Sequence, residues 1–184
     1  MHWFRRARPG PTSWNLAKTI AQIVVFWGVF LFIIPPALVA LAASVGIPAT
    51  PRYAGRVLGV FLFACASALG LRSALTIAME GEGTPLPLDS PLRLVSTGPY
   101  AWVRNPMAIA GLAQGMAIAL WHGSLVVAAY VIAGGLLWHV FVRPLEEADL
   151  ARTFGEAFVR YRQRVPLWLP RRPRPAASRS SADI

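Results

Sequence analysis

Four long apolar runs, at about residues 20–45, 57–79, 106–121 and 124–142, constrain this chain more than any other feature of it. Hydrocarbon offers no water to backbone N–H and C=O groups, so a crossing segment must pair them internally, and a helix that does so needs about 20 apolar residues. The first, second and fourth runs meet that length. The third is short unless its end extends through Arg104, whose guanidinium can snorkel to the headgroups. Composition agrees: 55% of the 184 residues are hydrophobic and 14% charged, whereas soluble domains carry about a quarter charged. The expected fold is all-α, a polytopic membrane bundle of about four transmembrane helices with a kink at Pro35 and Pro36, which lack backbone donors.

Arg5, Arg6 and Arg8 precede the first run, and Ala40 to Ala42 could pass for a signal cleavage site. A signal's apolar core spans only about 7 to 15 residues, so the longer run reads as an anchor. The expected organisation is a basic cytoplasmic arm over 1–17, one membrane domain over 18–170, and a disordered tail over 171–184, rich in Pro, Arg, Ser and Ala. Basic residues gather at both ends, with only Arg52 and Arg56 in the first connection, so both termini are expected in the cytoplasm of a bacterial cell with its inner membrane as host. The net charge of +10 sits mainly on these flanks and suits anionic headgroups. Nucleic acid is not the expected partner, because no basic stripe is interleaved with aromatic platforms.

Several chemistries fall away. Cys65 is the one cysteine, His2, His122 and His139 are too scattered for a metal cluster, and no serine sits in a nucleophile elbow. Gly111 and Gly115, with Ala108 a turn earlier, suit close helix packing, and Gly134 and Gly135 offer a matching small surface. Arg72, Gln114 and His139 are costly against lipid and are expected to face the bundle interior or a wet cavity. On a continuing helix His139, Arg143, Glu146 and Glu147 share one stripe, although Pro144 can break it and first-turn carboxylates can also serve the helix dipole alone. Beyond them Leu150, Phe154, Phe158, Tyr161 and Val165 predict a juxtamembrane amphipathic helix with Arg152, Glu156, Arg160 and Arg164 on its other side.

GPYAWVRNPM, residues 98–107, precedes the third run, and RPLEEADL, residues 143–150, follows the fourth. A short hairpin through His122 and Gly123 brings the two together at one membrane boundary. An arginine, an asparagine, aromatic rings and paired carboxylates there suit a polar, partly cationic small molecule held beside lipid.

The stretches GTPLP, LVSTGPYAWVRNPM and EEADLARTFGEAFVRYRQRVPLWLP, within about residues 80–170, resemble the isoprenylcysteine carboxyl methyltransferase and phospholipid N-methyltransferase superfamily of integral membrane enzymes. The resemblance implies an S-adenosylmethionine site built from Gly98, Tyr100, Arg104, Asn105, Pro106, Glu146 and Glu147, and an amphiphilic methyl acceptor: the carboxylate of an isoprenylcysteine-like compound or a lipid amine. For the chemistry itself, Arg143 is expected to hold an acidic acceptor and His139 to take a proton from an amine or thiol. A G-x-G element at Gly81 to Gly83 also resembles one in the phospholipid enzymes. Two positions depart from the family pattern: Ala108 replaces its tyrosine and Ala110 its glycine, with Gly111 one step on, and both bear on the acceptor. The residues themselves leave open a nicotinamide-dependent membrane reductase or a non-catalytic lipid-binding protein.

The charge pattern yields a topology test. Reporter fusions at Gly123 and at the C-terminus should report opposite sides of the membrane, with the C-terminus cytoplasmic; the same side for both would remove the shared boundary.

Overall fold

The computed structural model describes residues 11–82 and 91–170. Most of the expected basic arm, the GTPLP stretch with Gly83, and the expected disordered tail lie outside the described residues.

The regular elements among the described residues are all helical. Helix α1 (Thr12–Trp27) passes through a π turn (Gly28–Ile33) into α2 (Ile34–Ser44). Helix α3 (Tyr53–Glu80) follows, then a 3-10 turn (Gly98–Ala101) and α4 (Pro106–His122). Helix α5 (Leu125–Leu137) passes through a second π turn (Trp138–Val142) into α6 (Arg143–Phe154), and α7 (Glu156–Arg164) closes the described chain. Three rods are long and apolar enough to cross a membrane: Ser13–Ser44, Tyr53–Glu80 and Leu125–Phe154. In the first, only 11% of the apolar window is buried against protein, so most of its side chains need lipid around them.

Helix α4 has 17 residues and spans about 25 Å, the short run anticipated from the sequence. Its place in the bundle explains why it can be short. Ala110, Gln114, Ala117, Ile118 and Ala119 are buried on it, while Val24, Phe32, Phe61, Ile132 and Leu136 on the surrounding rods point outward. Leu31, Ile118, Ala119 and Val127 form the central core, with Trp27, Leu38 and Phe63 packed against them.

The two π turns solve one problem in one way. Pro35, Pro36 and Pro144 have no N–H to return to carbonyls four or five residues back, and their rings crowd the preceding turn. The helix widens just ahead of them, so Ile34 N–H reaches Val29 O and Arg143 N–H reaches Trp138 O, each five residues back. The carbonyls of Phe30 and His139, left next in line, are then met by side chains. Tyr130 Oη donates to Phe30 O at 3.3 Å, and Arg143 Nε to His139 O at 3.3 Å. The disturbance expected at Pro35 and Pro36 thus lies one turn earlier, as a widened helix.

Helices α3 and α4 form the closest seam, and α3 supplies the small residues. A Cβ on Gly59 would stand 2.7 Å from Ala117 O, and one on Gly55 3.0 Å from Leu120 O. The glycines singled out in the sequence do something else: Gly111 admits the Trp27 ring, Gly115 admits Val131 and Gly135 admits Leu112, while Gly134 meets nothing within 4 Å. At the end of α4, Gly123 has φ +60°, and any Cβ there would strike Thr50 O at 2.2 Å. Gly123 N–H returns to Leu120 O and Ser124 N–H to Ala119 O, closing the helix into the expected hairpin.

The amphipathic segment after residue 143 is broken in two at Gly155, whose φ of +53° and ψ of −130° favour glycine. Its apolar stripe folds inward: Phe158, Tyr161 and Val165 are buried, with Leu94, Leu150 and Phe154 against them.

Gly59→Ala places a methyl against a backbone carbonyl that cannot move aside. It should destabilise the bundle by about 1 to 3 kcal/mol, read from unfolding in mixed micelles, whereas Gly134→Ala should be close to neutral.

Candidate active site

The polar end of the bundle is assembled by three short segments whose local chemistry fixes their path. Gly98 turns the chain with φ +53°, and the 3-10 turn behind it buries Pro99 and Tyr100. Asn105 then caps α4, its Oδ1 accepting from Ala108 N–H at 3.1 Å, and Pro106 takes the first helical position, where its missing donor costs nothing. Between turn and cap lies Arg104. Its N–H donates to Pro166 O at 2.9 Å, tying the start of α4 to the segment after α7. Tyr161 Oη donates to Tyr100 O at 2.8 Å, a second tie between the same two parts.

Glu147 on α6 is the electrostatic centre. Arg104 Nη1 approaches its Oε1 to 2.8 Å, Arg143 Nη1 to 3.5 Å, and Arg162 Nη1 lies 4.0 Å from Oε2. Arg104 and Glu147 are mostly buried, with side chains 14% and 17% exposed. The 2.8 Å approach lies off the N–H axis, so it is a charge contact that leaves Arg104 Nη1 and Glu147 Oε1 without a directed hydrogen bond; Arg104 Nε has none either. Burial lowers the Arg104 pKa, and Glu147 opposes that shift. Glu146 has no hydrogen bond or ion pair among the described residues and lies near enough to Tyr100 to help raise its pKa. The structure therefore separates two adjacent carboxylates, one held by arginines and one without a partner among the described residues.

His139 belongs to the neighbouring wall. Its ring packs against Trp168 at 5.6 Å, Trp168 meets Trp138 edge-on at 5.8 Å, and His139 Nδ1 is buried without a partner. Trp168 also lines a groove of about 420 Å³ that includes Gly98, Pro99, Trp102 and Val103. Arg104, Arg143 and Glu147 thus stand together through contacts, His139 is joined to them only by its backbone carbonyl on Arg143 Nε, Gly98 and Tyr100 shape the turn beside them, and Asn105 and Pro106 set the helix that presents Arg104. Arg162 and Trp168 were not singled out in the sequence reading, and Tyr161 entered it only as part of the apolar stripe. The V-P-L-W stretch after α7 carried the signal, since a tryptophan following an amphipathic helix needs somewhere to pack.

Against this geometry the phospholipid methyltransferase family profile matches residues 54–157, over half of the chain. The chain belongs to the phospholipid methyltransferase family. The match covers α3 to α6 and with them Arg104 and the two glutamates. A methanethiol S-methyltransferase from Crocosphaera subtropica (strain ATCC 51142 / BH68) is 25% identical over 163 residues, covering 88% of this chain and 52% of that protein. The chain spans about half the length of that curated relative. No solved structure matches it. Family membership together with the three apolar rods makes this an integral membrane protein. Ala110 packs against a glycine across the seam: a Cβ on Gly70 of α3 would meet the Ala110 methyl at 3.3 Å.

S-adenosylmethionine, the methyl donor the resemblance implies, presents a carboxylate, an ammonium group and ribose hydroxyls. Arg104, whose buried Nε and Nη1 make no directed hydrogen bond, and the unpaired, largely buried carboxylate of Glu146 are of the chemical types that pair with these groups.

Tyr161→Phe leaves Tyr100 O buried without its donor and should cost about 1 to 3 kcal/mol. Burial raises the pKa of both tyrosines, so the folded state keeps protons that the unfolded chain loses above pH about 10. Their contribution is full below that pH and falls as pH rises past it. Melting curves between pH 8 and 11 should show the fall in the parent and a smaller one in Tyr161→Phe.

Proposed function

We propose that the protein is an S-adenosylmethionine-dependent methyltransferase acting on a lipophilic or amphiphilic acceptor at the cytoplasmic boundary of a bacterial membrane. The observation that carries this reading is the pair Arg104 and Glu146. A guanidinium with unfilled N–H groups and a carboxylate with no partner stand at one polar end of a membrane bundle, within or beside the motifs of a methyltransferase family.

Arg104 would hold the cofactor's carboxylate, with Glu147 keeping the guanidinium in place and Arg143 and Arg162 balancing that glutamate. Glu146 would accept from the ammonium group or the ribose hydroxyls. Gly98 and Tyr100 would form the wall of the same pocket, and Asn105 and Pro106 would fix the helix that carries Arg104. When bound, the cofactor supplies a sulfonium methyl group for in-line displacement. The chain then has to align the acceptor and exclude water, and such alignment supplies about 7 to 11 kcal/mol in favourable cases.

His139 Nδ1, buried and unpartnered, would take the proton that an amine or thiol acceptor loses, and Arg143 would neutralise an acidic one. A thiol acceptor is a second reading, supported by the named activity of the Crocosphaera subtropica relative and by His139. A nicotinamide-dependent reduction and a purely lipid-binding role are the rival classes.

Thermal stabilisation in detergent by S-adenosylhomocysteine, and not by NADPH, is the expected result. Calorimetry on Arg104→Ala and Glu146→Gln should then show affinity for S-adenosylhomocysteine lowered about 10- to 150-fold, equivalent to about 1.5 to 3 kcal/mol. Unchanged affinity in folded variants would leave the two residues with a structural role only.

A further inference from the structure

The last residue of α3 stands at the wrong end of its helix. A helix C-terminus carries partial negative charge and disfavours a carboxylate, yet α3 ends on Glu80. Glu82, two places on, is neutralised by Arg93 at 2.9 Å, whereas Glu80 has no ion pair among the described residues. Its carboxylate does something else: Thr97 Oγ1 donates to Glu80 Oε2.

Thr97 is the residue from which the 3-10 turn starts. Its carbonyl accepts from Tyr100 N–H at 3.0 Å, and Pro99 O accepts from Trp102 and Val103 N–H at 3.1 and 3.3 Å. One turn back along α3 from Glu80, Thr76 abuts the next residue: a Cβ on Gly98 would stand 3.2 Å from Thr76 Oγ1. At the far end of the turn Tyr161 Oη donates to Tyr100 O at 2.8 Å. Side chains of two different helices therefore hold the turn, Glu80 of α3 where it starts and Tyr161 of α7 where it ends. The two holds differ in their surroundings. Tyr100 and Tyr161 are buried and belong to the packed interior, while Glu80 and Thr97 are exposed, and an exposed hydrogen bond adds little to overall stability. What an ionised acceptor does supply is a short, directed bond that fixes a position.

We propose that Glu80 is a positioning residue of the cofactor site, acting through Thr97 to set the place of Gly98 and Tyr100. The inference rests on the reading of those two residues as a wall of the S-adenosylmethionine pocket, and it gives α3 a part in a site otherwise drawn from the start of α4 and from α6. Without the carboxylate, the start of the turn keeps only the packing of Val95 on Ile77 and of Gly98 on Thr76. A misplacement of about 1 Å in such a wall can cost about 100-fold in rate, so a bond of small stabilising value carries weight in function.

Calorimetry with S-adenosylhomocysteine on the full chain in detergent, paired with hydrogen exchange read by mass spectrometry, tests the role. Glu80→Ala and Thr97→Val should each weaken binding by about 5- to 20-fold. The double variant should lose no more than either alone, since both remove one bond. Glu80→Gln retains an acceptor oxygen and should recover most of the affinity. Arg93→Gln breaks the neighbouring ion pair and should bind as the parent does, because Leu92 and Arg93 N–H on Gly81 O hold that part of the loop. The amides of Tyr100, Trp102 and Val103 should exchange faster in Glu80→Ala, while those of α7 and the melting temperature stay at parent values. The exchange readout needs no cofactor. A parent that fails to bind S-adenosylhomocysteine would defeat the proposed function and leave exchange at the turn to decide what Glu80 does. Parent-like exchange at the turn in Glu80→Ala would overturn the positioning role, and so would faster exchange in every helix with a lowered melting temperature. Weak binding by Glu80→Ala beside parent-like binding by Thr97→Val would overturn it too, being the pattern of a carboxylate that meets the cofactor itself.

Discussion

A carboxylate taken out of water has to be surrounded by positive charge, and the polar end of this protein is organised around meeting that demand for Glu147. Its three arginines come from different places: Arg104 from the loop before α4, Arg143 from the start of α6, and Arg162 from α7. Satisfying one buried charge therefore brings three otherwise separate segments to one point. The backbone tie from Arg104 to Pro166 and the hydroxyl tie from Tyr161 to Tyr100 act on the same two parts of the chain. Removing Arg104 or Glu147 leaves the other mostly buried with its main charge partner gone, whereas Arg162 is half exposed, so the Arg104–Glu147 pair is the centre of the set.

The membrane half of the fold meets a related demand for the backbone. Prolines in the first and third long rods remove donors where no water can replace them, and the chain answers with a widened turn and a side chain from elsewhere. Tyr130 covers Phe30 O from α5, and Arg143 covers His139 O. Arg143 is thus a shared part, sealing the helix with one nitrogen and approaching Glu147 with another. Helix irregularity and polar site are coupled there, which explains why Pro144 can sit at the edge of the site without breaking the rod.

Much of this was legible in the sequence because it depends on composition and short spacing. The apolar runs, the Gly123 hairpin, the Pro106 helix start and the meeting of Arg104 with the glutamates all follow from local rules and topology. What was not legible depends on which face of a helix meets which neighbour. The G-x-x-x-G pair on α4 suggested close helix contact, yet the close backbone contact lies at Gly55 and Gly59 of α3, and Gly111 accommodates a tryptophan. The difference between Glu146 and Glu147 was also hidden, since adjacent residues on a helix point about 100° apart and only the packed structure says which one finds the arginines. Gly155 broke a helix that the apolar spacing alone made continuous.

The most direct test of this account is a double-mutant cycle between Arg104 and Glu147, read by reversible unfolding in mixed micelles. If Glu147 is the centre that joins the segments, Arg104→Gln and Glu147→Gln are each strongly destabilising, while the second substitution costs much less in the background of the first, giving a coupling of at least about 1 kcal/mol. Additivity within about 0.5 kcal/mol would contradict it and leave the 2.8 Å approach as a contact without structural consequence.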